Sequence, residues 1–147
     1  MFYTLCHPEL VSGSLYNVGA NIMIFGVGID IVDIERIEKG LEKLGDRFYH
    51  RIFTDYEIEK KKNSANYHLE LAGKFAAKES LAKALKTGMT QGVKWKEIEI
   101  RNEDSGAPYI VLYGKTKKLA ESFGIKQIYV SISHIQTHAC AMVILEI

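Results

Sequence analysis

Helices alternating with antiparallel strand pairs, arranged about one long helix, is the fold class that the sequence predicts, and three stretches carry it. The first, LAGKFAAKESLAKALKTG from Leu71 to Gly88, is filled with good helix formers and has no proline. Phe75, Leu81 and Leu85 lie near an apolar stripe, and Gly88 is a natural terminator. The second, MIFGVGIDIVDIERI from Met23, alternates like a strand before turning helical. The third, QIYVSISHIQTHACAMVILEI, holds two β-rich runs with a short polar break near Gln136 to His138, which is a hairpin pattern.

A chain of 147 residues suffices for one domain with a sizeable core. Its 19 basic and 18 acidic side chains leave a charge of +1, so no overall excess points to nucleic acid or an anionic membrane. An anionic partner must then be met by a local patch. No stretch approaches the roughly 20 apolar residues of a membrane-spanning helix. The two cysteines, Cys6 and Cys140, are far apart, which excludes a disulfide framework and fits a reducing compartment such as the cytoplasm. Residues 1–22 carry no Lys or Arg and no continuous apolar run, and Pro8, Gly13 and Gly19 break every periodicity. The expectation is a single domain over residues 23–147, preceded by a disordered or non-native extension.

Taken in order, the first strand puts Phe25, Val27, Ile29 and Ile31 on one face and Gly26, Gly28 and Asp30 on the other. Glycines flanking a carboxylate either let a bulky ligand approach the strand or relieve crowding against a packed helix. Asp30, if buried, needs a cation or hydrogen-bond donors. Asp33 suits the cap of a helix whose Ile34, Ile37, Leu41 and Leu44 share a face and which Gly45 ends. A shorter helix capped by Thr54 or Asp55 follows, and residues 60–66 read as its fraying end and a loop. Arg36, Arg47 and Arg51 form either a basic surface for an acidic partner or a scatter of solvated side chains. Beyond the long helix, Trp95 to Arg101 alternates as a half-buried strand, NEDSGA supplies turn chemistry, and Pro108 to Tyr113 returns as its partner. Gly114 to Phe123 is a short amphipathic helix closed by Gly124.

The sequence contains no complete phosphate-binding glycine loop, zinc spacing or nucleophile elbow. Oxygen-ligand chemistry remains. If Asp30 and Glu79 converge, they make a partial site for Mg2+, which keeps waters and takes further oxygens from substrate phosphates. Lys74, Lys78 and Lys83 on the same helix then supply charge for a phosphorylated substrate, unless they are simply its solvated face. His134, in phase with Val130 and Ile132, ends a strand, where a histidine is more often structural than catalytic.

GVGIDIVDIERI, FAAKESLAKAL and the terminal VSISH, in that order, resemble the holo-acyl-carrier-protein synthase branch of the 4'-phosphopantetheinyl transferases, from about Met23 to the C-terminus. The resemblance implies an α+β fold, with one long central helix packed on a mostly antiparallel sheet, assembled as a homotrimer that holds coenzyme A between subunits. It implies transfer of 4'-phosphopantetheine from coenzyme A to a serine of apo-acyl carrier protein in fatty acid biosynthesis. Asp30 and Glu79 would bind Mg2+ and, with Lys83, form the catalytic set. Lys74, Lys83 and His134 would contact the coenzyme, and Arg36, Arg47 and Arg51 the carrier protein. Lys86 stands where the family usually has glycine and Ala107 where it often has lysine, departures that bear on coenzyme contacts. The competing reading is a non-catalytic coenzyme A or nucleotide-binding module.

Overall fold

Small residues decide how the central helix lies on its sheet. The computed structural model describes residues 23–59 and 66–147, so the N-terminal extension and most of the loop expected at 60–66 lie outside the described residues. The order of elements is β1 (Ile24–Asp33), α1 (Ile34–Leu44), α2 (Asp46–Ile52), α3 (Asp55–Glu59), α4 (Tyr67–Ala84), a one-turn 3-10 helix (Trp95–Glu97), β2 (Ile98–Asn102), β3 (Pro108–Leu112), α5 (Gly114–Ser122), β4 (Gln127–His134) and β5 (His138–Glu146). Strands β1, β5 and β4 form one antiparallel sheet in that order, and β2 pairs with β3. The α+β expectation holds, with both hairpins where the turn chemistry put them.

Helix α4 crosses the three-stranded sheet diagonally. Near its start, a Cβ at Gly73 would come within 2.7 Å of Ile132 on β4. In its middle, Ser80 Oγ donates to the Ala141 carbonyl on β5 at 2.8 Å. Towards its end, a Cβ at Gly28 of β1 would collide with the Ser80 carbonyl oxygen, and one at Gly26 with that of Ala84. The glycines of β1 therefore serve the helix rather than a ligand. Alanines 72, 76, 77, 82 and 84 keep α4 slim enough for this approach, and they join Leu81, Leu85, Ile98, Ile100, Val143 and Leu145 in the main core.

With the glycine face turned inward, the apolar face of β1 points out: Val27, Ile29 and Ile31 are 56%, 66% and 69% exposed. Tyr129 on β4 and Met142 on β5 are exposed on the same sheet. This reverses the usual burial of a strand's apolar face.

Local details sharpen the sequence reading. Ile34 and Ile37 of α1 are buried, while the side chains of Leu41 and Leu44 lie outside the described residues. Gly45, at φ 58°, lets the chain re-enter helix as α2, an element that the sequence reading did not separate from its surroundings. Thr54, not Asp55, caps α3: its hydroxyl accepts from Glu57 N–H at 3.4 Å, and Glu57 returns Oε2 to Thr54 N–H at 2.8 Å. Trp95 to Glu97 forms a helical turn rather than strand, and Glu97 accepts from the N–H and hydroxyl of Thr116 at 2.8 and 2.9 Å, closing the first turn of α5.

The central helix stops before Gly88. Leu85 is its C-cap and Lys86 takes the left-handed conformation at φ 63°. That conformation costs a non-glycine residue about 1–2 kcal/mol. Lys86 Nζ lies 4.6 Å from the ring of Phe25, which stacks on Phe123, and a cation over a ring returns about 0.5–1 kcal/mol at an exposed site.

Two stability measurements check these packings by urea denaturation. Gly28→Ala should lose about 3 kcal/mol or more, because the obstruction is helix backbone and cannot swing aside. Lys86→Ala keeps the strain without the ring contact and should lose about 0.5–1 kcal/mol, whereas Lys86→Gly should stay close to the parent.

Candidate active site

The contact of β1 with α4 sets the site. Asp30 lies two residues beyond Gly28, and Glu79 immediately precedes Ser80, so the collision-close pair Gly28 and Ser80 carries a carboxylate on each element. Lys83, one turn further along α4, donates to Asp30 Oδ1 at 2.7 Å and to the Ile29 carbonyl at 3.0 Å. Burial, and then the charge of Asp30, push the Glu79 carboxyl above its ordinary range, and Lys83 pulls it part of the way back. The three groups therefore share one electrostatic environment, with two carboxylates served by a single ammonium.

A cleft of about 890 Å³ opens from this cluster. Asp30 and Glu79 line it, Ile52, Phe75 and Trp95 give it apolar walls, and Arg36, Lys43, Arg47 and Arg51 line it as well. The Phe75 and Trp95 rings stack at 4.9 Å. The sequence reading did not single out either aromatic for the site, although Phe75 precedes Glu79 by four residues and so shares its helix face.

The predicted residues divide. Asp30, Glu79 and Lys83 converge, and Arg36, Arg47 and Arg51 line the same cleft. Lys74 is only 5% exposed and is not among the lining residues. His134 is exposed at the end of β4; Asp30 and Ile132 both pair with Ala141, so β5 stands between them and His134 is two residues further on. Lys78 overturns the expectation of a phosphate-facing charge. It is fully buried, donating to Glu57 Oε2 at 2.7 Å and to the carbonyls of Ile52 and Trp95 at 2.8 and 3.1 Å. Burial pushes its ammonium down to about 8 against the pull of Glu57.

Among the described residues no group of three or more His, Cys, Asp or Glu could enclose a metal. Two carboxylates beside an open cleft are the donor set that Mg2+ takes when water and phosphate oxygens complete its shell. The arginines that line the same cleft suit an acidic macromolecule.

The family model of the 4'-phosphopantetheinyl transferase superfamily matches residues 26–143, and the chain belongs to that family. It is 43% identical over 124 residues to the holo-[acyl-carrier-protein] synthase of Koribacter versatilis, a match covering 84% of this chain and 99% of the relative. The crystal structure of the Neisseria meningitidis holo-[acyl-carrier-protein] synthase superposes with a TM-score of 0.80 at 34% identity, covering 85% of this chain and all of that one. The Helicobacter pylori synthase, solved in complex with coenzyme A, superposes at 0.72 with 34% identity, covering 81% and 98%.

The shared environment of the three charges is open to a direct check. In Lys83→Met the ammonium that lowers Glu79 is gone, so Glu79 should titrate higher still than in the parent, as read by carboxyl-carbon NMR. An unchanged Glu79 titration would place Lys83 outside the cluster in solution.

Proposed function

We propose that this chain transfers the 4'-phosphopantetheine group of coenzyme A to a serine of apo-acyl carrier protein, releasing 3',5'-ADP and supplying holo carrier protein for fatty acid biosynthesis in the cytoplasm. The observation that carries the proposal is one cleft lined by Asp30 and Glu79 together with Arg36, Arg47 and Arg51. Coenzyme A bound to the Helicobacter pylori relative supports the donor, and the name shared by the curated relatives supports the acceptor.

The serine oxygen forms a bond to the β-phosphorus of coenzyme A while the bond from that phosphorus to the 3',5'-ADP oxygen breaks, and the serine proton passes to a water in the cleft or to the Glu79 carboxylate. Asp30 and Glu79 would hold Mg2+, which when bound offsets negative charge on the coenzyme diphosphate. Lys83, beside Asp30 and half-exposed, adds an ammonium for the phosphates and the leaving group. Arg36, Arg47 and Arg51 dock an acidic helix of the carrier protein, bringing its serine to Asp30 and Glu79.

The same reading makes the protein a homotrimer with coenzyme A between subunits. Two features support it. The sheet presents Val27, Ile29, Ile31, Tyr129 and Met142 to its outside, an apolar surface suited to association. His134 lies across β5 from Asp30 and two residues further on, and a second copy would bring it to the coenzyme bound at the Asp30 cluster.

Intact mass of apo-acyl carrier protein, after incubation with the protein, coenzyme A and Mg2+, tests the proposal. One phosphopantetheine should be gained, and chelation should stop the gain. Asp30→Ala and Glu79→Ala should each slow it by about 10³-fold or more. Ile29→Asp should sediment as a monomer and transfer poorly. No gain with several folded carrier proteins would overturn the transferase reading and leave coenzyme binding without turnover.

A further inference from the structure

The fully buried pair Lys78 and Glu57 lies outside the reacting cluster, yet it joins most of the elements that wall the cleft. Lys78 Nζ spends its three protons on the carbonyls of Ile52 and Trp95 and on Glu57 Oε2. It also lies 5.4 Å from the ring of Phe53. Glu57 Oε2 accepts from Thr54 N–H at 2.8 Å, and Oε1 from Ile100 N–H at 2.9 Å. Two side chains thus tie the end of α2, the cap of α3, the 3-10 turn and β2 to the helix that carries Glu79.

Burying an ion pair is weak as a source of stability, since desolvation offsets most of the attraction. Its strength lies in geometry, because each bond has a direction as well as a distance. Ile52 and Trp95, the residues whose carbonyls Lys78 holds, both line the cleft, and Arg51 directly precedes Ile52. Lys78 is also the immediate neighbour of Glu79. The bonds therefore fix α2, which bears Arg47 and Arg51, relative to α4, which bears Glu79.

We infer that Lys78 and Glu57 are positioning residues that hold Arg47 and Arg51 of α2 in place relative to Glu79 of α4, and hence set how the carrier protein presents its serine. The inference rests on the proposed transferase reading. It makes the pair matter for the carrier and little for the coenzyme, a division that general destabilisation does not produce.

Lys78→Met and the milder Glu57→Gln test this, assayed well below each melting temperature with apo-acyl carrier protein and coenzyme A varied separately. The KM for carrier protein should rise about tenfold or more, as when interface charges are misplaced. The KM for coenzyme A should stay within about twofold, the sign that its contacts are intact. Trp95, the sole tryptophan, should become more accessible to acrylamide with the far-UV circular dichroism unchanged. A parental carrier KM in a folded variant overturns the inference, as does a fall in kcat that follows the folded fraction with both KM values fixed. In the parent, Trp95 fluorescence must respond to carrier titration, and silence there overturns it whether or not the variants fold. A parent that transfers nothing to any carrier protein brings down the transferase reading instead.

Discussion

The close approach of β1 to α4 is the constraint on which the rest depends. Only hydrogen at residues 26 and 28 lets the strand lie against the carbonyls of Ala84 and Ser80, and that distance brings Asp30 within the field of Glu79 and within 2.7 Å of Lys83. Fold and site are therefore a single geometric problem. A side chain at Gly28 would lift the strand, and the carboxylates would separate before any of the reacting groups had been altered.

Helical phase explains why two lysines on α4 have opposite surroundings. Lys78 and Lys83 are five residues apart, about 140° around the axis, whereas Glu79 and Lys83 are four apart and differ by about 40°. Lys83 with Glu79 thus faces β1, its ammonium half in solvent, while Lys78 faces α3 and the 3-10 turn in the interior. A fully buried ammonium is tolerable only because each of its protons finds an oxygen. The charge that stays half-exposed is the one left available for chemistry.

Much of this was legible in the chain. The run from Leu71 to Gly88, the two hairpin patterns and the carboxylates at positions 30 and 79 followed from periodicity and residue type, since those signals are local. The orientation of β1 was not legible. An alternating strand shows which residues share a face but not which face meets the protein, and here the glycine face won because α4 needed its space. The role of Lys78 was hidden for a related reason: its partners at residues 52, 57 and 95 are remote in sequence. Thr54 was legible as one of two candidate helix caps, yet nothing local could show that Glu57, which completes the cap, also reaches Ile100 and Lys78. Lys86 shows the limit from the other side, because a lysine at a left-handed helix end becomes intelligible only once Phe25 is seen beneath it.

The outward apolar face and the division of the predicted coenzyme residues have a common explanation in the proposed trimer. A strand whose glycines must face the helix has to turn Val27, Ile29 and Ile31 the other way, and a monomer gains nothing from leaving them in water. In that proposal, covering the face with a second copy would place the β4 end of one sheet, with His134, beside the Asp30 of another subunit, from which β5 separates it within a chain. In the proposed trimer, association on this surface would be part of building the coenzyme site. The glycines that bring Asp30 to Glu79 are also what turns the apolar face outward, so the same two residues underlie both the half-site within the chain and the surface that would complete it.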